Sequence, residues 1–105
     1  MLEKDIEKIF TAEIKRAGGK AYKFTSPGND GVPDRIAMLP GGQIVFVELK
    51  TDTGSLSKLQ DLQCRRIAEL GQTVRVLHGL SEVRDFFLEF GLDTAAYRLE
   101  RRLAR

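Results

Sequence analysis

The chain has 105 residues, of which 42% are hydrophobic and 30% charged, and its formal net charge is +2. This length favours one domain, and the hydrophobic fraction can fill one modest core. The N-terminus is charged from Glu3 onward, which argues against a signal peptide, and no apolar run reaches the roughly 20 residues of a membrane span. We therefore expect a cytoplasmic protein with no membrane partner. The single cysteine, Cys64, excludes an internal disulfide and a cysteine-based zinc site.

The chain opens with a helical pattern. Apolar residues at helical spacing predict an amphipathic helix over residues 2–17, and Gly18-Gly19 is expected to end it. Residues 21–24 are a short strand candidate. A loop rich in Gly, Pro, Ser and Asn follows over residues 25–33.

The middle of the chain predicts a β-hairpin. Strands are expected over residues 34–39 and 43–50, on either side of the turn signal Pro40-Gly41-Gly42. Because the segment from Ile44 to Val47 is apolar on both faces, the second strand is expected to be central in its sheet.

Two more helices and a strand are predicted in the second half. A helix is expected over residues 57–70, a strand over 73–77 and a helix over 81–90. The inward residues expected on the first of these helices are Leu59, Leu62, Ile67 and Leu70. The element order αβββαβα predicts an α/β fold with a central mixed sheet flanked by helices.

The last residues, 92–105, predict an amphipathic basic helix. Its apolar stripe runs through Leu92, Ala96, Leu99 and Leu103, whereas arginines dominate its other face. Two interpretations stay open: the helix packs on its own domain, residues 1–91, or it serves as a dimer element or DNA-backbone contact. The lone His78 precedes Gly79 at a strand end, where a solvated residue is expected.

The end of the second hairpin strand carries charge on an apolar stripe. Glu48 and Lys50 must project from the same face as Ile44 and Phe46, because side chains alternate across a strand. Burying a carboxylate and an ammonium there is costly unless they pair or bind a metal. The alternative is an ion pair on an exposed edge strand.

A stiff loop precedes the other strand of the hairpin. Gly31 permits unusual backbone angles, Pro33 fixes its own φ, and Val32 is pushed toward an extended conformation. These residues present Asp34 in a defined direction, although the tetrapeptide alone could be a simple turn. Together with Glu48 and Lys50, Asp34 supplies two oxygen ligands and a cation, which is the chemistry that Mg²⁺ and a phosphate group require.

This pattern resembles the PD-(D/E)xK nuclease superfamily and, within it, a small stand-alone VRR-NUC domain of the bacteriophage type. The likeness spans about residues 3 to 80. The matching segments are Gly18-Gly19, Tyr22-Lys23-Phe24, Ser26-Pro27-Gly28, Gly31-Val32-Pro33-Asp34-Arg35, Leu39-Pro40-Gly41-Gly42, Val45-Phe46-Val47-Glu48-Leu49-Lys50 and Leu56-Ser57 with Gln60.

The resemblance implies a restriction-endonuclease-like core and a set of site residues. Asp34 and Glu48 correspond to the metal ligands for Mg²⁺ or Mn²⁺, with the Leu49 carbonyl as a third, and Lys50 to the catalytic lysine. The family also places a glutamine on the helix after the motif, which Gln60 matches.

A further glutamate is expected on the first helix. The family pattern favours Glu3, which is thereby a further metal-ligand candidate. Helical geometry leaves Glu7 and Glu13 open, since Glu13 lies nearer the centre of the apolar face. Three cations near the site are candidates for contacting DNA phosphates: Lys23, Arg35 and Lys58.

The resemblance also implies a metal-dependent endonuclease similar to Holliday-junction resolvases. We therefore expect branched DNA as the substrate, a homodimer, no nucleotide cofactor, and a bacterial or phage-infected cell as the setting. The alternatives are a flap, nicking or non-selective endonuclease, or an idle DNA-binding or interaction module of a repair or replication assembly.

Overall fold

The computed structural model describes residues 1–105 and confirms the predicted element order. Each boundary agrees with its prediction to within two residues. None of the helices is both long and apolar enough to cross a membrane. The elements are α1 (Glu3–Arg16), β1 (Lys20–Lys23), β2 (Arg35–Leu39), β3 (Gln43–Lys50), α2 (Lys58–Glu69), β4 (Val74–His78), α3 (Gly79–Glu89) and α4 (Asp93–Leu103).

The strands form one mixed sheet in the order β1-β2-β3-β4. The pairs β1–β2 and β2–β3 are antiparallel, whereas β3 and β4 are parallel and are joined through α2. The strand β3 therefore has a neighbour on each side, as its apolar sequence predicts. Because β3 and β4 are parallel, their carboxyl ends meet at the same end of the sheet.

One face of the sheet forms the hydrophobic core with α1, α3 and α4. Phe10 of α1 packs against two α3 rings, with centroid distances of 5.4 Å to Phe86 and 5.9 Å to Phe87. The β3 residues that point into this core alternate along the strand, as expected for one buried face. They are Val45, Val47 and Leu49.

The terminal helix α4 contributes to the same core. Ala95, Ala96 and Leu99 are buried in it. Arg98 of α4 donates hydrogen bonds to the carboxylate of the buried Glu13, which ties α4 to α1. The apolar stripe of the terminal helix is therefore covered largely by its own chain.

The helix α2 lies over only part of the opposite face of the sheet. The expectation that Leu59 and Leu70 point inward is wrong, because they are 51% and 79% exposed and Cys64 is the buried residue of this helix. The apolar spacing identified the helix, but its buried side is marked by Cys64 and by the contact of Gln60 with Glu48. The uncovered part of this face exposes three large apolar side chains to between 44% and 47%: Tyr22, Met38 and Ile44.

Candidate active site

The predicted acidic and basic residues converge where β2 begins and β3 ends. Arg35, the first residue of β2, pairs with Val47 of β3. Asp34, one residue earlier, therefore comes opposite Glu48. Lys50 Nζ lies 3.5 Å from Glu48 Oε2, which confirms that the two side chains share a face.

Glu48 is the buried centre of this cluster, with only 1% of its surface exposed. Its Oε2 accepts a hydrogen bond from Gln60 Nε2 at 3.2 Å, whereas its Oε1 is buried without a hydrogen-bond partner. Burial raises the pKa of Glu48 to about 7, the charge of Asp34 adds to this rise, and Lys50 opposes it. If both Asp34 and Glu48 were ionised, two negative charges would lie beside the single ammonium of Lys50 in a site shielded from water. The protonated form of Glu48 is therefore favoured.

Asp34 is held by the backbone of β3 and by the loop before it. Its Oδ2 accepts a hydrogen bond from the Leu49 N–H at 3.0 Å. Pro33 is fully buried, and Gly31 has a φ of +90°. A Cβ on Gly31 would lie 2.7 Å from the backbone carbon of Leu59, so only glycine allows this loop to pack directly on α2.

The helix α2 begins with a capping box that also serves the site. The Ser57 hydroxyl accepts a hydrogen bond from the Gln60 N–H at 3.1 Å, and Gln60 Oε1 accepts one from the Ser57 N–H at 2.9 Å. The same Gln60 side chain therefore begins the helix and donates to Glu48. One turn later lies the buried Cys64, whose thiol pKa is raised by burial and then by the charge of Glu48. Gln60 and Cys64 are four residues apart, which places their side chains on one face of the helix. This spacing could have identified the face of α2 that lies toward the site.

The donor set suits a hard divalent cation. Asp34 and Glu48 offer carboxylate oxygens, and the unpartnered Oε1 of Glu48 is an acceptor in need of a donor or a cation. A group of three or more His, Cys, Asp or Glu side chains that could hold a metal is absent. Ligands beyond these two carboxylates would be a carbonyl such as that of Leu49, or water, as is common for Mg²⁺.

Comparisons with known proteins identify the family and support the fold. No family model matches the chain. The chain is 45% identical over 75 residues to the "Putative nuclease p44" of Acyrthosiphon pisum secondary endosymbiont phage 1, a match that spans 71% of this chain and 81% of that protein. A solved structure described as a VRR_NUC domain has a TM-score of 0.75 and 28% identity over 83% of this chain and 94% of its own. The chain belongs to the VRR-NUC family.

A second solved structure, a VRR_NUC domain protein, has a TM-score of 0.65 and covers 85% of this chain and 87% of its own. At 18% identity it supports the fold alone. Together these VRR-NUC relatives confirm the resemblance and the predicted mixed α/β core, and they support a nuclease as the class of function.

The three acids considered on α1 have different surroundings in this VRR-NUC domain. Glu7 Oε1 accepts hydrogen bonds from Arg35 at 3.0 and 2.6 Å, and the buried Glu13 is held by Arg98. Glu3 is exposed in the first turn and forms no hydrogen bond or ion pair. None of the three is hydrogen-bonded to Asp34 or Glu48, so the role of Glu3 in the site stays a prediction.

The three candidate DNA-contacting cations also differ in their surroundings. Arg35 is bound to Glu7 and to the Ala21 carbonyl, on the face of the sheet that packs against α1. Lys23 Nζ lies 3.7 Å from Glu7 but the side chain is largely exposed, and Lys58 is exposed at the start of α2. Lys23 and Lys58 therefore have cations accessible to a phosphate, whereas that of Arg35 is already used within the protein.

Proposed function

We propose that this protein is a divalent-metal-dependent DNA endonuclease that hydrolyses phosphodiester bonds. The observation that carries the proposal is the buried Glu48, whose Oε1 has no partner and whose carboxylate lies beside both Asp34 and Lys50. A purely structural ion pair would satisfy both carboxylate oxygens, since a buried unsatisfied acceptor costs about 1–3 kcal/mol. An unsatisfied oxygen at a strand end instead suits a site that binds a cation and substrate.

The roles of the side chains follow from their positions. Asp34 and Glu48 would hold Mg²⁺ or Mn²⁺, with the Leu49 carbonyl as a further ligand. When bound, the ion would act as a Lewis acid on the phosphate and favour ionisation of the attacking water. Lys50, which lies beside Glu48, would stabilise the negative charge that develops on the phosphate. Gln60 fixes the orientation of Glu48.

We further propose that the enzyme is a homodimer that selects branched DNA, with the Holliday junction as its leading substrate. A twofold dimer presents two equal sites, which suits symmetric strands of a four-way junction. The uncovered sheet face of Tyr22, Met38 and Ile44 supports a second copy as its cover, because a phosphate backbone is a poor match for apolar side chains. Such an enzyme would act in the cytoplasm of a bacterial or phage-infected cell.

The test compares cleavage of four-way junction, flap and linear duplex DNA with Mg²⁺, with Mn²⁺ and with EDTA. We expect cleavage of the junction with either metal and none with EDTA. Lys50→Ala should lower the rate about 100-fold or more, because it removes a charge-stabilising group. The matched control is Lys15→Ala, which removes an exposed lysine from the last turn of α1 on the other side of the sheet.

Different outcomes contradict different parts of the proposal. Cleavage that survives EDTA, or that Lys50→Ala leaves unchanged, would overturn the mechanism. Equal cutting of linear duplex and junction would leave the nuclease but remove its selectivity. The solution mass of the protein and of Ile44→Lys tests the dimer, since a lysine in place of one of the three apolar side chains should give a monomer.

A further inference from the structure

His78 is the neighbour of Lys50 across the parallel strands. The register of β3 and β4 pairs Glu48 with Val76 and Lys50 with His78. Paired residues of a sheet project from the same face, and adjacent strands are about 4.8 Å apart. His78 therefore stands beside Lys50 at the carboxyl ends of two parallel strands, which is where open α/β sheets form ligand crevices.

The imidazole is oriented by one partner and has a second nitrogen without one. Glu82 Oε1 lies 3.3 Å from His78 Nδ1 and also accepts the backbone N–H of His78 at 2.8 Å. His78 Nε2 forms no hydrogen bond within the protein, and the side chain is 32% exposed. When both nitrogens of an imidazole carry a proton both are donors, so one N–H can face a carboxylate while the other donates to an anion.

The loop after β3 restricts the space around this histidine. The Asp52 side chain lies against Gly79, the residue after His78, at a point where a Cβ would collide with the carboxylate. The loop after β3 thus packs against the residue that follows His78. These contacts account for a fixed backbone at His78, but they leave Nε2 without a structural role.

We propose that His78 binds a phosphate of the DNA backbone next to the cleaved one, with Nε2–H donating to a phosphate oxygen and Glu82 holding the ring. This inference rests on the proposed nuclease function. It assigns the lone histidine, which the sequence places at a solvated strand end, to substrate binding. The alternative is a purely structural role in which Glu82 caps α3.

The first experiment measures DNA binding as a function of salt, with Ca²⁺ in place of Mg²⁺ so that no cleavage is needed. His78→Gln should reduce the slope of log affinity against log salt by about one, because one phosphate contact is lost. His78→Arg should retain the slope, since it restores a cationic donor. A structural role would lower the melting temperature of His78→Gln without changing its salt slope.

The second experiment places single neutral methylphosphonates at successive positions around the cut. In the natural protein one position adjacent to the cut should reduce cleavage about 10-fold or more, as expected for a charge-assisted hydrogen bond. In His78→Gln the same position should cause no further loss, whereas other positions keep their effects. Equal methylphosphonate profiles in both proteins, together with equal salt slopes, would overturn the proposal for His78. Failure of the natural protein to cleave at all would instead overturn the proposed function, and the binding experiment would still decide the role of His78.

Discussion

Gln60 joins the start of α2 to the buried carboxylate of Glu48. Its Nε2 donates to Glu48 Oε2 at 3.2 Å while its Oε1 accepts the N–H of Ser57 at 2.9 Å. The Gln60 amide therefore donates at one end and accepts at the other, which identifies the atom that is nitrogen. The helix cannot change its first turn without changing the orientation of Glu48.

Replacing Gln60 should therefore affect both stability and activity. Gln60→Ala removes half of the capping box and a side-chain donor to Glu48, which should cost about 1–2 kcal/mol in the free energy of unfolding. Activity should fall about 10- to 100-fold, as is typical when a group that orients a metal ligand is lost. Urea unfolding and junction cleavage measure the two effects.

The matched control for this change is Gln63→Ala on the same helix. Gln63 Nε2 donates to the Asp30 carbonyl at 3.4 Å and does not contact Glu48. Its replacement should leave activity within a factor of about two, since a surface hydrogen bond contributes little. Equal losses in the two variants would show that α2 as a whole, and not the Gln60 amide, supports the site.

The raised pKa of Glu48 predicts how stability and metal binding depend on pH. The pKa is about 7 in the folded protein against 4.5 for an ordinary glutamate, so the folded state keeps a proton that the unfolded state has lost between these values. Without metal, the free energy of unfolding should fall as the pH rises from about 4.5 to about 7, by an amount of order 3 kcal/mol. Glu48→Gln should lack this fall and should be more stable than the natural protein at pH 8.

Metal binding should show the opposite dependence on pH. Because a cation must displace the Glu48 proton, affinity for Mg²⁺ should fall about tenfold per pH unit below pH 7. Urea unfolding in EDTA at pH 5 and pH 8, and calorimetric Mg²⁺ titration at the same values, provide the measurements. Parallel pH profiles for the natural protein and Glu48→Gln would mean that another group titrates.

The sequence predicted the strands and the pairing of Glu48 with Lys50 because both depend on local rules. Strand alternation alone places these two side chains on one face, and the apolar run through Val45 identifies an interior strand. The inward face of α2 was predicted only in part, since Leu62 and Ile67 are partly buried but the other two leucines are not. Leu59 and Leu70 have the apolar spacing of a buried stripe, but the long-range contact of Gln60 with Glu48 fixes the rotation of this helix.

The close contact of Gly31 with α2 predicts that replacing this glycine lowers stability by more than sequence rules alone would suggest. Gly31→Ala must place an alanine at a φ of +90° and bring its Cβ within 2.7 Å of the Leu59 backbone. Gly28→Ala is the matched control, because Gly28 has a φ of +80° but no atom within 4 Å of an added Cβ. Both variants should lose about 1–2 kcal/mol from the strained backbone.

Only Gly31→Ala should lose more, by about another 1–3 kcal/mol, because the α2 backbone must move. Its activity should also fall, since the displaced turn carries Gln60. Chemical denaturation and junction cleavage of the two variants make the comparison. If Gly28→Ala and Gly31→Ala were equally stable and equally active, the close approach of the loop to α2 would not matter for the site.

The acids of α1 give a prediction that separates catalysis from packing. Glu7 and Glu13 are bound by Arg35 and Arg98, so their replacement by glutamine should lower stability by about 1–3 kcal/mol. Glu3 has no such partner, and Glu3→Gln should leave the melting temperature unchanged while reducing cleavage, as the family pattern implies. Cleavage rates measured well below each melting temperature, alongside Mg²⁺ titration, distinguish the three. A fully active Glu3→Gln would remove Glu3 from the site, and a stable but inactive Glu7→Gln would transfer the role to Glu7.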